Sequence, residues 1–142
     1  MSDLLYSKDL LRWAADAHAA GRLTAPRATG EAHNPVCGDK VIFDLKLDGG
    51  KIVEVGHESK ACVLTQASAS ILGKSLKGAK REDVERLRDV LNAMLASGGG
   101  EPSAPYSDFR AFTGAVSYTS RHRCVLLPLD AVLAAFDASD TC

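Results

Sequence analysis

Val41, Phe43, Leu45 and Leu47 alternate with mostly polar neighbours, the two-residue period of a strand with one buried face. Asp48-Gly49-Gly50 follows, and its glycines accept the positive φ of a tight hairpin, after which Ile52, Val53 and Val55 begin a returning strand. A two-stranded hairpin alone is unstable in water, so the chain must supply a third strand or covering helices. This requirement shapes the reading of every other segment.

Helical patterns stand on both sides of the hairpin. Ser7 can cap a helix, with Tyr6 and Leu11 stapled across it; Leu10, Leu11, Ala14 and Ala15 then predict an amphipathic run to Ala20, stopped at Gly21. Residues 22–35, punctuated by Pro26, Gly30 and Asn34-Pro35, read as loop. From Cys62 to Leu76 small residues dominate a helix buried through Leu64, Ile71 and Leu72. Val84, Leu87, Leu91, Met94 and Leu95 predict another helix, closed at Gly98, and 97–105 is a surface loop. Phe109, Phe112 and Val116 suggest a short helix. After Cys124, Leu126, Leu129, Val132, Leu133 and Phe136 mark a last one, in which Pro128 is tolerable only within the first turn. Helices before and after a hairpin indicate an α+β fold, and 142 residues without internal repeats suit one domain spanning 1–142.

Composition narrows the function. Seventeen Lys+Arg against 18 Asp+Glu leave a net charge of −1, which argues against a nucleic-acid or other polyanion binder. No apolar run approaches the ~18–20 residues of a membrane span, and MSDLLYSKDLL lacks the basic start and apolar stretch of a secretory signal. The expected location is therefore cytoplasmic, where thiols stay reduced and four cysteines need a reason.

No CxxC pair is present, so local context carries the argument. Cys37 lies in His33-Asn34-Pro35-Val36-Cys37-Gly38-Asp39, just before the first hairpin strand; Gly38 permits a tight turn, and a carboxylate follows two residues on. Cys62 and Cys124 stand near predicted helix N-termini, where the positive end of the dipole favours thiolate. Arg121, His122 and Arg123 crowd Cys124, a placement that suits an anion such as a thiolate, a persulfide or a metal–thiolate group. Three thiolates and a carboxylate make a four-ligand set for zinc or an iron–sulfur cluster. Against this stands the plainer reading of cysteine as a small buried hydrophobe and of a basic trio as solvated surface. His18 and His57 are expected at the surface, and Cys142 as a mobile terminal thiol.

Pro26-Arg27 with Gly30, NPVCGD (34–39), ACVLTQASAS (61–70), and Gly114-Ala115-Val116 with RHRC (121–124) and LPLDAV together resemble the U-type iron–sulfur scaffold family, the IscU, SufU and NifU N-terminal group. The resemblance runs from about residue 6 to 136. It implies a SufE/NifU-like fold, a three-stranded antiparallel sheet packed against several helices. It also implies that Cys37, Asp39, Cys62 and Cys124 bind a metal or cluster. Arg123 stands where IscU members carry histidine, an LPPVK segment is absent, and a longer stretch separates the second and third cysteines; these features resemble the SufU branch. Members of that branch bind zinc through three cysteines and an aspartate and accept sulfur from a SufS-type cysteine desulfurase. Two departures stand out. Glu58-Ser59-Lys60-Ala61 replaces the usual glycine-rich approach to the second cysteine, making it stiffer and more basic, and Thr119 replaces a common proline.

The implied chemistry is attack by a thiolate on the outer sulfur of a desulfurase persulfide. Zinc keeps bound thiols deprotonated, and Asp39, a hard oxygen donor among sulfurs, is the ligand most readily exchanged. Cys37 and Cys124 are both candidates for the sulfur acceptor, with Arg121, Arg123 or His122 stabilising the persulfide. The same ligands would hold a transient [2Fe–2S] cluster, or iron, on a scaffold that passes clusters to a carrier or to apo-proteins. Two readings of other classes are a purely structural zinc site and a Cys/His hydrolase or transferase pairing Cys37 with His33 or Cys124 with His122. The last has no orienting residue or oxyanion hole to support it.

Overall fold

The computed structural model describes residues 7–25, 27–36, 38–98 and 100–140. Tyr6, Pro26, Cys37 and Cys142, all singled out above, lie outside the described residues. The described elements are α1 (Lys8–Asp16), β1 (Ala28–Asn34), β2 (Asp39–Asp48), β3 (Lys51–Lys60), α2 (Val63–Ser75), α3 (Arg81–Ser97), two 3-10 segments (Ser107–Ala115 and Thr119–Arg121) and α4 (His122–Asp140). The strands form one antiparallel sheet in the order β1-β2-β3. The α+β expectation therefore holds, with a third strand and covering helices both present.

The predicted hairpin is β2–β3. Gly49 and Gly50 turn it at φ +59° and +83°, and Val41, Phe43, Leu45, Ile52 and Val55 are buried. β1 corrects the reading of 22–35 as loop. Its sequence, ATGEAHN, shows no apolar alternation because its inward-facing centre is a glycine. Gly30 pairs with Phe43, which pairs with His57. A Cβ on Gly30 would collide with the Ala131 carbonyl oxygen and the Ala135 amide nitrogen of α4. The missing side chain is what lets α4 lie directly on the sheet.

α4 packs along β1 and β2, while α2 packs on β3 and against α4; α1 backs α2, and α3 backs α4. Small residues on α2 serve this arrangement, since Ala67, Ser68, Ala69 and Ser70 are all buried. A Cβ at Gly73 would meet the His18 carbonyl oxygen, so α1's exit passes close over α2.

Ser7 caps α1 as expected, its Oγ accepting from the Leu10 amide at 3.1 Å. The helix nevertheless ends at Asp16 and not at Ala20. Ala17 and Ala19 take left-handed φ of 45° and 63°, and the chain turns to bond β3: His57 donates to the Ala19 carbonyl and Gly21 to the His57 carbonyl. Pairing with a strand edge overrides the helix propensity of alanine here. On the sheet's other side Asp44 is fully buried. It accepts from Arg22 (2.6 and 3.1 Å), the Leu23 amide and Thr29 Oγ1, anchoring the segment that enters β1.

Two further expectations are corrected. His57 is buried, not at the surface: its Nε2 donates to the His18 carbonyl at 2.7 Å and its ring lies 5.2 Å from that of Phe43. α4 begins at His122, ahead of Cys124, so Pro128 falls inside the helix beyond its first turn. Among the described residues no helix is long and apolar enough to cross a membrane.

Candidate metal centre

Three elements meet at one point. Asp39 opens β2, Cys62 is the N-cap of α2, and Cys124 lies in the first turn of α4. One carboxylate oxygen of Asp39 and the sulfurs of Cys62 and Cys124 lie within 4.8 Å of one another, with Asp39 and Cys124 buried and Cys62 half-buried.

Local sequence explains the placements of Asp39 and Cys62. Asn34 and Asp39 are register partners across the turn from β1 to β2. The Asn34 side-chain oxygen accepts from the Val36 amide at 3.1 Å, its carbonyl accepts from Gly38 at 2.8 Å, and Gly38 adopts φ +78°. Asn-Pro and Gly in the NPVCGD stretch therefore build an Asx turn that delivers Asp39 to the end of the sheet. Cys62 has extended backbone, and its carbonyl accepts from the Gln66 amide as α2 starts. Gln66 Nε2 donates to the Ala61 carbonyl at 2.8 Å, tying down the stretch that replaces the usual glycines.

The donor set fits a tetrahedral metal. With Zn–S bonds of about 2.3 Å, neighbouring sulfurs of a tetrahedral site stand ~3.8 Å apart, so a modest contraction closes the observed group around one ion. Two sulfurs and one carboxylate oxygen suit zinc or iron and leave a fourth position, for which Cys37 is the candidate outside the described residues.

The basic trio divides. His122 turns away, its Nε2 donating to the carbonyls of Ala115 and Val116 at 3.0 Å each, so it is not arranged as a base for Cys124. Arg121 is half-buried in the preceding 3-10 turn and Arg123 is exposed. His33 is exposed on β1.

Sequence reasoning missed Thr65. Fully buried, its Oγ1 lies 2.9 Å from the Cys124 carbonyl oxygen, 3.4 Å from Asp39 Oδ2 and 3.6 Å from Cys62 Sγ. The available signal was its spacing, three residues after Cys62 on a helix, which places it on the same face. One turn further along α2, Ser68 donates to the Val125 carbonyl at 2.7 Å.

The family model for the NifU-like N-terminal domain matches residues 5–124. The chain belongs to that family. This NifU-like domain superimposes on the crystal structure of a nitrogen-fixing NifU-like protein (N-terminal) from Brucella abortus with a TM-score of 0.91 and 32% identity, covering 98% of this chain and 96% of that one. It is 27% identical over 97 residues to the zinc-dependent sulfurtransferase SufU of Bacillus subtilis, covering 68% of this chain and 66% of that relative. It is 24% identical over 122 residues to the iron–sulfur cluster assembly scaffold protein IscU of Streptococcus pyogenes, covering 86% of this chain and 76% of that one. All three site residues described above fall within the span that the family model matches.

Proposed function

We propose that the protein, one U-type domain across 1–142, works in iron–sulfur cluster assembly as a SufU-like sulfur acceptor with zinc held by Cys37, Asp39, Cys62 and Cys124. The observation that carries this reading is the convergence of the Asp39, Cys62 and Cys124 donor atoms within 4.8 Å. Similarity to a zinc-dependent sulfurtransferase supports it.

Zinc in this site would keep its cysteines as thiolates near neutral pH, where free cysteine (pKa about 8.5) is mostly protonated. The residues do the rest. A thiolate of Cys37 or Cys124 attacks the outer sulfur of a desulfurase Cys–S–SH; a new S–S bond forms on this chain, the old one breaks, and the desulfurase leaves as thiolate. Asp39, a hard donor among sulfurs, would be the ligand given up most easily. Arg123, exposed beside Cys124, and Arg121 supply positive charge for the persulfide. Val36, 88% exposed in the loop that precedes Asp39, offers an apolar contact to the partner.

A second reading, a scaffold for a transient [2Fe–2S] cluster destined for a carrier or apo-protein, uses the same ligands. It is supported by similarity to IscU scaffold proteins from Streptococcus pyogenes and Thermotoga maritima.

Anaerobically purified protein is assayed for metal and for its effect on sulfide release by a SufS-type cysteine desulfurase. Stoichiometric zinc with strong stimulation, lost in Cys37→Ser, supports the sulfur acceptor. No stimulation, together with reconstitutable [2Fe–2S] absorbance, favours the scaffold. Metal retained in the combined Asp39→Ala and Cys124→Ser variant would overturn the shared site.

A further inference from the structure

We propose that Thr65 is the positioning residue of this centre, its hydroxyl replacing the helical donor that Pro128 removes from the Cys124 carbonyl. The inference rests on the metal reading above and concerns what holds the ligands in place.

In an α-helix the amide of residue 128 would donate to the carbonyl of residue 124. Proline has no amide hydrogen, so the Cys124 carbonyl loses that partner inside a buried turn. Thr65 Oγ1 stands 2.9 Å from that oxygen, reaching across from α2. A threonine deeper in a helix bonds back to the carbonyl four residues earlier, but Thr65 is the third residue of α2 and has no helical carbonyl behind it. Ala61 precedes the N-cap Cys62, and its carbonyl accepts from Gln66 Nε2 at 2.8 Å. Ser68 also donates to the next carbonyl, of Val125, where no proline removes the helical amide, so two hydroxyls on one face of α2 reach two consecutive carbonyls of α4.

A hydroxyl has one proton and two lone pairs. The Cys124 carbonyl, at 2.9 Å, is the shorter of the two acceptors of that proton and Asp39 Oδ2, at 3.4 Å, the longer one, while a lone pair remains for Cys62 Sγ at 3.6 Å. Thr65 thus locks the backbone that carries Cys124 against the start of α2, beside the other two donor groups of the site.

The test measures zinc affinity by chelator competition and the thiolate charge-transfer bands of the Co²⁺-substituted protein. Thr65→Val is expected to weaken zinc roughly 10–100-fold, the usual cost of losing a group that orients a ligand. Its cobalt bands should keep their positions, because the ligands are unchanged. Thr65→Ser should stay near wild type. Adding Pro128→Ala to Thr65→Val should recover most of the affinity, because a main-chain amide then serves the Cys124 carbonyl. Unchanged affinity in Thr65→Val, failure of Thr65→Ser, or no recovery in the double variant overturns the proposal. Should Thr65→Val not fold, the double variant decides: folding with recovered affinity supports the proposal, and a double variant that is unfolded or binds as a weak site overturns it. Wild-type protein that binds no zinc overturns the metal reading itself; tight wild-type binding with an unaffected Thr65→Val overturns only the role of Thr65.

Discussion

Gly30 of β1 lies directly against the backbone of Ala131 in α4, with no room between them for a methyl group. The contact sets the distance between the sheet that carries Asp39 and the helix that carries Cys124.

Gly30→Ala therefore forces β1 and α4 apart, since the obstructing atoms are backbone and have no rotamer to change. The expected destabilisation is about 3 kcal/mol, the upper part of the usual overpacking range. Urea melts check the stability. Zinc titration of the folded fraction should show weakened binding, because Cys124 moves relative to Asp39.

Zinc added to metal-free protein should raise Tm, because a ligand that binds only the folded chain stabilises it by mass action. The rise should disappear in Asp39→Ala, Cys62→Ser and Cys124→Ser, and chelator should reverse it in the wild type. Scanning calorimetry with and without zinc provides the measurement. An equal Tm rise in all three variants would place the metal elsewhere.

Asp44 predicts acid sensitivity. Burial alone would raise its carboxyl, but hydrogen bonds from Arg22, Thr29 and the Leu23 amide outweigh that and hold it below the usual carboxylate range. A depressed carboxyl contributes stability that is complete above the unfolded value of about 3.9 and is lost as pH falls through the lower folded value. Asp44→Asn should melt earlier than wild type at pH 7, and the gap between them should narrow below about pH 4. Thermal melts from pH 7 to 3 read both effects.

His57 predicts a second slope at milder pH. Burial lowers its pKa, and the hydrogen bond to the His18 carbonyl only partly offsets this. The folded chain keeps the ring neutral while the unfolded chain protonates it below about pH 6.5, so the stability present above that pH declines as pH falls toward the folded value. His57→Gln, which keeps a donor for the His18 carbonyl, should flatten the slope between pH 7 and 5. Parallel melts of the two proteins over that interval test it.

What could be read from the chain follows a physical divide. The β2–β3 hairpin was legible because alternation and paired glycines are local signals. The convergence of Asp39, Cys62 and Cys124 was expected only through the resemblance to the scaffold family, because local signals at a strand start and two helix starts do not by themselves bring three distant stretches together. β1 was not legible, since its key residue works by lacking a side chain, and that matters only once α4 is present. The early end of α1 was hidden for the same reason: Ala17 and Ala19 leave the helix to satisfy the edge of β3 at His57. Thr65 escaped notice because its partner carbonyl is vacated by Pro128, far along the sequence on another helix.

Asp39, Cys62 and Cys124 come from distant stretches of chain, so an ion bound to all three closes two long loops at once. It is then a removable cross-link. The entropic cost of bringing distant segments together grows only slowly with their separation, so the ion's binding energy carries over largely into fold stability. On the function proposed above, giving up the ion, or one of its ligands, would loosen the junction of β2, α2 and α4. A partner drawing the ion or a thiol away would then meet a chain whose resistance to opening falls as the site empties.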